Sequence, residues 1–322
     1  MKALLRAIAA LALLALLVPS LAASAQTDPA ALIRQYFEAR DRGDVAATMA
    51  FYADDAVLEG AGLCSPNRCA GKAAIQREIE RQVAAKVQTT ITDSQVSGNA
   101  VTVRLELRGN AIRAAGVERI VNSVTVEVRG DKFVAFRVRF DTNDPQTATF
   151  LNFQRLTGLL RQHYEARNRD DAAAALESFT DDAVFEVATC RPACVGKEAI
   201  RRELEGGVAV HRRQTISNLQ VSGNTVTFRI ESRTDNIRAA GLERIVASAT
   251  AEFRDGKIAI LRSVQDMSDP QTAQFVAWQQ ARRVQQPTQL PRTGGSPVAL
   301  FAALGLGALL SALGLALRGA RR

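Results

Sequence analysis

The side chains that could do acid–base chemistry in this chain are few. Its two histidines are His163 and His211, and an Arg-x-Glu pair on a strand-like stretch ends in Glu106 in the first half and in Glu231 in the second. A general base must be held beside its substrate with its pKa tuned towards the working pH. His163, His211, Glu106 and Glu231 are therefore the candidate catalytic residues, although their spacing defines no acid–base pair.

An internal duplication tests these candidates. Residues 112–121 read IRAAGVERIV and residues 237–246 read IRAAGLERIV, so nine of ten positions agree at an offset of 125 residues. The first-copy counterparts of His163 and His211 are Tyr36 and Lys86. Since a lone histidine is more often packed or solvated than catalytic, this difference between the copies favours binding over catalysis.

The net charge of +8 is concentrated near the two ends of the chain. Lys2 and Arg6 lie near the start, and Arg318, Arg321 and Arg322 lie at the C-terminus. The remainder carries about +3, with acids and bases interspersed. Nucleic-acid-binding proteins usually present a concentrated basic face, so we expect no nucleic-acid partner.

The first 25 residues have the pattern of a secretory signal peptide. Lys2 and Arg6 precede an apolar run at residues 11–18, and residues 23–25 read ASA, which fits the small-x-small cleavage site. We expect export with Gln26 as the first mature residue; the alternative is an N-terminal anchor that is not cleaved.

The end of the chain resembles a cell-wall sorting signal. Residues 290–294 read LPRTG, and the 21 residues from 297 to 317 carry no charge. As a helix this stretch spans about 31 Å, enough to cross the apolar core of a bilayer. The basic tail, residues 318–322, would then stay in the cytoplasm.

The resemblance implies that a sortase attacks the Thr293 carbonyl and transfers the chain to a cell-wall precursor. The alternative is a membrane anchor that is never cut. In either case we expect the protein at the cell wall or the outer face of the cytoplasmic membrane of a bacterium. The residues of the recognition and cleavage motif are Leu290, Pro291, Thr293 and Gly294.

The four cysteines form one closely spaced pair in each copy, Cys64 with Cys69 and Cys190 with Cys194. An oxidising compartment favours one disulfide in each copy. A zinc site would need all four thiolates together, because neither copy has a second pair or a histidine close by. We therefore expect two disulfides and no metal site.

Each copy opens with helices and continues with strands. Asp28-Pro29 and Asp144-Pro145 predict the N-cap and the first position of a helix. The apolar period later changes to two, as in residues 101–108, where Val and Leu alternate with Thr, Arg and Glu. Three helices mixed with one early strand, followed by antiparallel strands, make an α+β fold.

Three motifs recur in the two copies: a YFEAR-type helix, a strand that follows DDAV, and a GK-x-A-I helix start. They lie at residues 36–40, 52–57 and 71–75, and again at 164–167, 179–184 and 196–200. In these motifs each copy resembles the SnoaL-like branch of the nuclear transport factor 2-like superfamily. The resemblance implies two tandem cone-shaped domains, each a curved, mostly antiparallel sheet wrapped around about three helices, with a pocket inside.

Members of that superfamily include polyketide cyclases, a steroid isomerase, limonene-epoxide hydrolase and many pocket-bearing proteins without known activity. The Asp–His pair of the cyclases has no match in both copies, and Arg104 with Glu106 resembles the Asp–Arg–Asp arrangement of the epoxide hydrolase only faintly. The resemblance implies a small apolar ligand and no cofactor. The candidate ligand contacts are Tyr36, Tyr52, Arg113, Tyr164 and Arg238.

We expect an exported, surface-anchored protein that binds a small apolar ligand or a partner without catalysis. The alternatives are a cyclase, isomerase or hydrolase acting on a small hydrophobic molecule, and a wall-displayed spacer. The expected partners are a sortase, the cell-wall precursor, the ligand and the membrane. The two domains could also pair within the chain, with Arg104, Glu106, Arg229 and Glu231 interleaved.

These expectations divide the chain into six segments. They are a signal peptide at 1–25, a first SnoaL-like domain at 26–147, a second at 148–284, a linker with the sorting motif at 285–296, a transmembrane helix at 297–317 and a cytoplasmic tail at 318–322.

Overall fold

The computed structural model describes residues 28–60, 63–64 and 67–285. Contacts divide the chain into one unit that ends at Asp266 and a second that begins at Met267. Within the described part of the first unit, one arrangement of four helices and a six-stranded sheet occurs twice. This confirms the prediction of two tandem α+β domains.

The first domain alternates helices with a sheet. Its helices are α1 (Pro29–Asp41), α2 (Val45–Ala50), α3 (Lys72–Ala84) and the short α4 (Asn110–Ala114). Its strands are β1 (Tyr52–Glu59), β2 (Arg68–Ala70), β3 (Gln88–Ser97), β4 (Ala100–Arg108), β5 (Ile120–Arg129) and β6 (Lys132–Phe140).

The second domain repeats this order. Its helices are α5 (Pro145–Asn168), α6 (Ala172–Glu177), α7 (Gly196–Ala209) and α8 (Asp235–Ala239). Its strands are β7 (Phe179–Glu186), β8 (Cys194–Val195), β9 (Arg213–Ser222), β10 (Thr225–Arg233), β11 (Ile245–Arg254) and β12 (Lys257–Gln265).

The two sheets have the same topology, β2-β1-β6-β5-β4-β3 and β8-β7-β12-β11-β10-β9. The early strand of each copy pairs in parallel with the last strand, β1 with β6 and β7 with β12, and the remaining pairs are antiparallel. The sheets are therefore mostly antiparallel, as predicted. The parallel pair brings the start of each domain beside its end.

Acidic residues cap the helices where the sequence predicts them. An oxygen of Asp28 accepts from the Ala30 N–H at 3.0 Å, and one of Asp144 accepts from the Thr147 N–H at 2.9 Å. Proline follows each as the first helical residue, a position where its missing N–H costs nothing. These caps fix where α1 and α5 begin.

The core of each domain lies between the helices and one face of the sheet. On β4, Val101, Val103 and Leu105 are buried while Thr102 and Arg104 are exposed. This alternation is the predicted one, and it repeats on β10. The sheet therefore packs its apolar face inward and presents its charged face to solvent.

Helix α5 belongs to both domains. Phe150 and Leu151 in its first half line the interior of the first domain. Leu160 and Tyr164 in its second half lie in the core of the second domain. The chain thus passes from the first domain to the second along a helix that is continuous from Pro145 to Asn168.

Both predicted disulfides form, Cys64 with Cys69 and Cys190 with Cys194. Each follows the early strand of its domain, and Cys69 lies on β2 opposite Leu58 of β1. The bonds therefore fix the connection that leads from the early strand to helix α3 or α7.

The repeated phrase of residues 112–121 runs from α4 into β5. Gly116 and Gly241 have φ of 77° and 75°, in the left-handed region that glycine adopts without strain. Each glycine lets the chain turn between the short helix and the following strand.

The described part of the second unit contains helix α9 (Pro270–Gln285), on which Phe275 stacks on Trp278 and Arg282 lies over the Trp278 ring. Across the described ranges, no helix has the length and apolar character needed to cross a membrane. The predicted signal peptide, LPxTG motif, transmembrane helix and basic tail lie outside the described residues.

Candidate ligand-binding cavity

The first domain encloses an apolar cavity of about 580 Å³. Its walls come from α1, the end of α3, strands β4 to β6, α4 and the first half of α5. Most of the lining is aliphatic or aromatic, because the inward positions of the three strands carry Val, Leu and Phe. The polar side chains of the lining are Tyr36, Arg40, Arg81, Gln82, Asn122, Gln154 and Arg155.

Arg40, on α1, is a buried cation of this wall, and its charge is balanced by Asp41. Its guanidinium donates to Asp41 Oδ1 at 2.8 Å and to Gln82 Oε1 at 3.3 Å, and it lies over the Phe37 ring. The other Asp41 oxygen accepts from the Thr89 N–H at 2.5 Å, which ties α1 to β3. The charge of Arg40 is thus compensated within the wall.

Arg81 is also compensated. Its guanidinium pairs with Glu78 at 2.6 Å, one turn earlier on α3, and Gln82 donates to the same carboxylate at 2.8 Å. The Glu78 side chain is only 4% exposed, whereas that of Arg81 is 60% exposed. The carboxylate is therefore fully used by its own helix, and Arg81 lies at the rim of the cavity.

Arg155 differs from these two arginines. It is exposed on α5, and its guanidinium donates to the neutral Asn152 side chain at 2.9 Å. Within the described residues it forms no ion pair. Arg155 therefore brings one uncompensated positive charge to the cavity rim.

Asn122, in contrast to the exposed Arg155, is a buried polar residue of the cavity wall. It occupies an inward position of β5, opposite Leu105 on β4 and Phe140 on β6, and is 3% exposed. Its side-chain oxygen is buried without a hydrogen-bond partner among the described groups. Leaving such an acceptor unpaired costs about 1–3 kcal/mol, so a donor inside the cavity would be favoured.

Tyr36 and Tyr52 form a phenol pair behind this wall. The Tyr52 hydroxyl donates to the Tyr36 oxygen at 2.9 Å. Burial raises the pKa of Tyr36, and it raises that of Tyr52 well above its usual range. Both rings therefore stay protonated. Of the two predicted contacts, Tyr36 lines the cavity and Tyr52 supports it.

The two histidines lie apart from each other. His163 is 1% exposed, packs edge-on against Tyr164 and Phe179, and has Nδ1 3.1 Å from Ser178 Oγ. Burial lowers its pKa to about 3, so it is neutral. His211 is exposed, and its Nδ1 lies 2.7 Å from Asp235 Oδ2. The structure does not bring them together as a catalytic site.

The predicted glutamates lie on the outer faces of the sheets. Glu106 pairs with Arg108 at 3.3 Å and with Arg119 at 3.4 Å. Glu231 pairs with Arg233 at 2.7 Å in the second copy. These ion pairs are partly exposed and lie within one repeat, so they stabilise a solvated face by at most about 1 kcal/mol each.

The remaining predicted contacts lie in different environments. Arg113 and Arg238 are exposed and hydrogen-bond to Asn110 and Asp235 on their own short helices. Tyr164 is buried in the second domain, where burial raises its pKa to about 12 and its hydroxyl has no hydrogen-bond partner among the described groups.

Sequence reasoning missed Asn122 and Arg155. Asn122 shares its strand face with Val124, Val126 and Val128, and a lone amide among inward valines is a signal that could have identified it. Arg155 carries no such signal, since its position depends on α5 continuing from one domain into the next.

The chain belongs to the SnoaL-like domain family, whose profile matches residues 33–152 and 160–261. The two matched ranges correspond to the two sheet-and-helix domains. No curated protein is significantly similar to this sequence.

Solved structures of similar proteins each cover about one domain. A candidate polyketide cyclase from Sinorhizobium meliloti is 24% identical, over 34% of this chain and 94% of its own, with a TM-score of 0.30. The epoxide hydrolase/cyclase-like enzyme SalBIII of salinomycin pyran ring formation is 21% identical, over 36% and 94%, with a TM-score of 0.33. An NTF2-like protein of unknown function from Cytophaga hutchinsonii is 14% identical, over 35% and 88%, with a TM-score of 0.29.

Proposed function

We propose that the protein is exported and anchored at the cell surface, where its first domain binds a small, mainly apolar ligand without converting it. The observation that carries this proposal is the cavity of about 580 Å³ in the first domain. Ligand sites are typically apolar concavities of this size with a few polar groups that orient the ligand.

The polar lining supports binding more than catalysis. Among the described residues that line the cavity there is no carboxylate and no imidazole. The nearby acids Asp41 and Glu78 are engaged by Arg40 and Arg81, and Tyr36 is held protonated. A SnoaL-like enzyme, the alternative function, would need a proton acceptor that faces the ligand.

Surface anchoring rests on the two ends of the sequence. The signal-peptide pattern of residues 1–25 and the LPxTG motif of residues 290–294 support export followed by transfer to a cell-wall precursor by a sortase. The disulfides of both domains are compatible with an oxidising compartment. Thr293→Ala should leave the chain extractable with membranes instead of covalently bound to the wall, and wall attachment of this variant would contradict sortase processing.

The binding proposal is tested by the small molecules that co-purify with the full chain. Val124 lines the cavity, and Val124→Phe should fill part of it. We expect mass spectrometry of solvent extracts to find an apolar molecule with the wild type that is depleted in this variant. Leu107→Phe, on a neighbouring wall, provides a second filled cavity if Val124→Phe melts early. The same molecules at the same occupancy in wild type and filled variants would contradict the proposal.

A further inference from the structure

We propose that the first-domain cavity takes an apolar carboxylic acid, whose carboxylate binds Arg155 at the rim and whose hydrogen-bond donor faces Asn122 inside. This inference rests on the proposed binding function and specifies its ligand. Two independent features of the cavity carry it, a net charge at the rim and an unpaired acceptor in the wall.

The charge balance of the lining favours an anion with a single charge. Arg40 is offset by Asp41 and Arg81 by Glu78, at 2.8 Å and 2.6 Å. Arg155 has only the neutral Asn152 as its partner among the described side chains. The cavity and its rim therefore carry about one uncompensated positive charge, which matches a carboxylate and leaves a dianion under-compensated.

The geometry of an arginine also suits a carboxylate. A guanidinium presents parallel N–H groups that can donate to both oxygens of one carboxylate. Arg155 lies on the exposed side of α5, in the same turn as Leu151 and Gln154, which line the cavity with it. A ligand with its head group here keeps the charge at the solvent boundary while its apolar body lies inside.

Asn122 specifies the other end of the ligand. Its buried oxygen has no partner among the described groups, on a wall otherwise formed by side chains such as Leu105, Val124 and Phe136. A hydroxyl group on the ligand can donate to this oxygen. A purely apolar ligand would leave the oxygen unpaired in a dry environment, which is unfavourable.

The head-group assignment is tested with dodecanoate and dodecanol as probes of equal chain length. Binding to the full chain is measured by calorimetry, with the signal of Val124→Phe subtracted to remove partition elsewhere. We expect dodecanoate to bind more tightly than dodecanol, and Arg155→Gln to weaken dodecanoate about fivefold while leaving dodecanol unchanged. Arg161→Gln is the matched control, because Arg161 is exposed on the same helix but does not line the cavity.

Three outcomes separate this inference from the binding function. Selective weakening of dodecanoate by Arg155→Gln supports the inference. Equal binding of acid and alcohol, unaffected by Arg155→Gln, overturns the inference and leaves ligand binding intact. Binding of neither probe above the Val124→Phe background overturns both the inference and the proposed function.

The role of Asn122 has its own test. Among ω-hydroxy acids of eight to fourteen carbons, we expect one length to bind wild type several-fold more tightly than the matching plain acid. Asn122→Val should reverse that order, since it replaces the acceptor with the residue type of its inward neighbours. The same order in both proteins would overturn the assignment of Asn122.

Discussion

The interiors of the two domains differ around a pair of equivalent glutamates, Glu78 and Glu203. Glu78 in the first domain is paired from its own helix by Arg81, and Val87 lies on the adjacent wall of the cavity. Glu203, its counterpart, is paired at 2.7 Å by Arg212, which occupies the position equivalent to Val87. The two equivalent carboxylates thus form ion pairs with arginines at different positions, one on the same helix and one beyond its end.

Glycine makes the second arrangement possible. Gly206 and Gly207 stand where the first domain has Arg81 and Gln82. A side chain at Gly207 would start 3.2 Å from the Arg212 guanidinium, so the absence of a Cβ makes room for that group. The space left beside Arg212 is about 10 Å³, close to the minimum that one water molecule needs.

A second difference between the two domains is the exchange of Asp41 for Asn168. Asn168 replaces Asp41 and still binds the backbone of the facing strand, at Gln214, but it no longer offers a carboxylate to the arginine before it. Arg167 packs over Tyr164, as Arg40 does over Phe37, and over Phe185 as well, and burial lowers its pKa to about 10. The same fold thus has an apolar cavity of about 580 Å³ beside one set of residues, and a charged pair with about 10 Å³ of space beside it at the other.

The largest predicted effect comes from breaking the buried pair of the second domain. Arg212→Val, which introduces the first-domain residue, should lower the free energy of unfolding by about 3 kcal/mol, because the largely buried Glu203 would lose its cationic partner and keep only the hydrogen bond from Thr189. Denaturant-induced unfolding followed by circular dichroism measures this loss.

The Glu78–Arg81 pair of the first domain suggests a second substitution that should restore the stability lost in Arg212→Val. Adding Gly206→Arg to Arg212→Val restores an i,i+3 partner like that of Glu78, and should recover at least half of the lost stability. Stability unchanged by Arg212→Val alone would show that the pair does not hold the second domain together.

The next effect concerns His163, which occupies the place of Tyr36. Its pKa falls from the ordinary value of 6.5 to about 3 on folding. Between these two pH values the unfolded chain therefore binds a proton that the folded chain does not bind. The resulting stability is complete above pH 6.5 and is lost as pH falls towards 3, by about 2 kcal/mol at pH 5. His163→Phe should remove this part of the pH dependence.

Unfolding free energies at pH 7 and pH 5 provide the measurement. His211→Gln is the matched control, since His211 is exposed, and it should keep most of the wild-type difference between the two pH values. A wild-type difference retained in His163→Phe would contradict the burial effect.

A smaller effect is expected when the second-domain arrangement is moved into the first. Gln82→Gly with Val87→Arg should place a guanidinium in the cavity beside Glu78 and weaken binding of the neutral probe dodecanol by more than about tenfold. Gln82→Gly alone leaves Val87 in place and should change the affinity by less than about threefold. Equal affinities of the double variant and wild type would show that Val87 does not keep the site open.

The smallest effect concerns the outer faces, where the domains are alike. Glu106→Lys and Glu231→Lys should each cost about 1 kcal/mol or less, because their ion pairs are partly exposed and lie within one repeat. Additive losses in the double variant are expected from these contacts. A coupling well above about 0.5 kcal/mol would instead support pairing of the two outer faces within the chain.

The sequence predicts the elements of this fold well, because each has a local cause. The caps at Asp28 and Asp144, the alternation on β4 and the turn at Gly116 depend on neighbouring residues alone. The disulfides are predicted from the close spacing of the cysteines together with the proposed export. Parallel pairing of β1 with β6 could not be obtained in this way, since it joins residues about 80 positions apart.

The candidate site was less predictable for the same reason. The sequence predicts Tyr36 as a ligand contact, and Tyr36 lines the cavity. It predicts Arg113 as another contact, whereas the Arg113 side chain is exposed to solvent. Glu78 is paired by its own helix and Glu203 by Arg212, the residue that precedes β9. Which partner is used depends on tertiary distances, and it determines whether the adjacent wall stays apolar.

The continuous helix α5 has a consequence for how the protein unfolds. Melting its first half would expose the apolar lining of the first domain, and melting its second half would remove Leu156, Leu160 and Tyr164 from the core of the second. Because the two halves form one continuous helix, unfolding of one domain would leave a new, uncapped helix end in the half that the other domain packs against. The two domains should unfold as one cooperative unit, and a ligand bound in the first should raise the melting temperature of both.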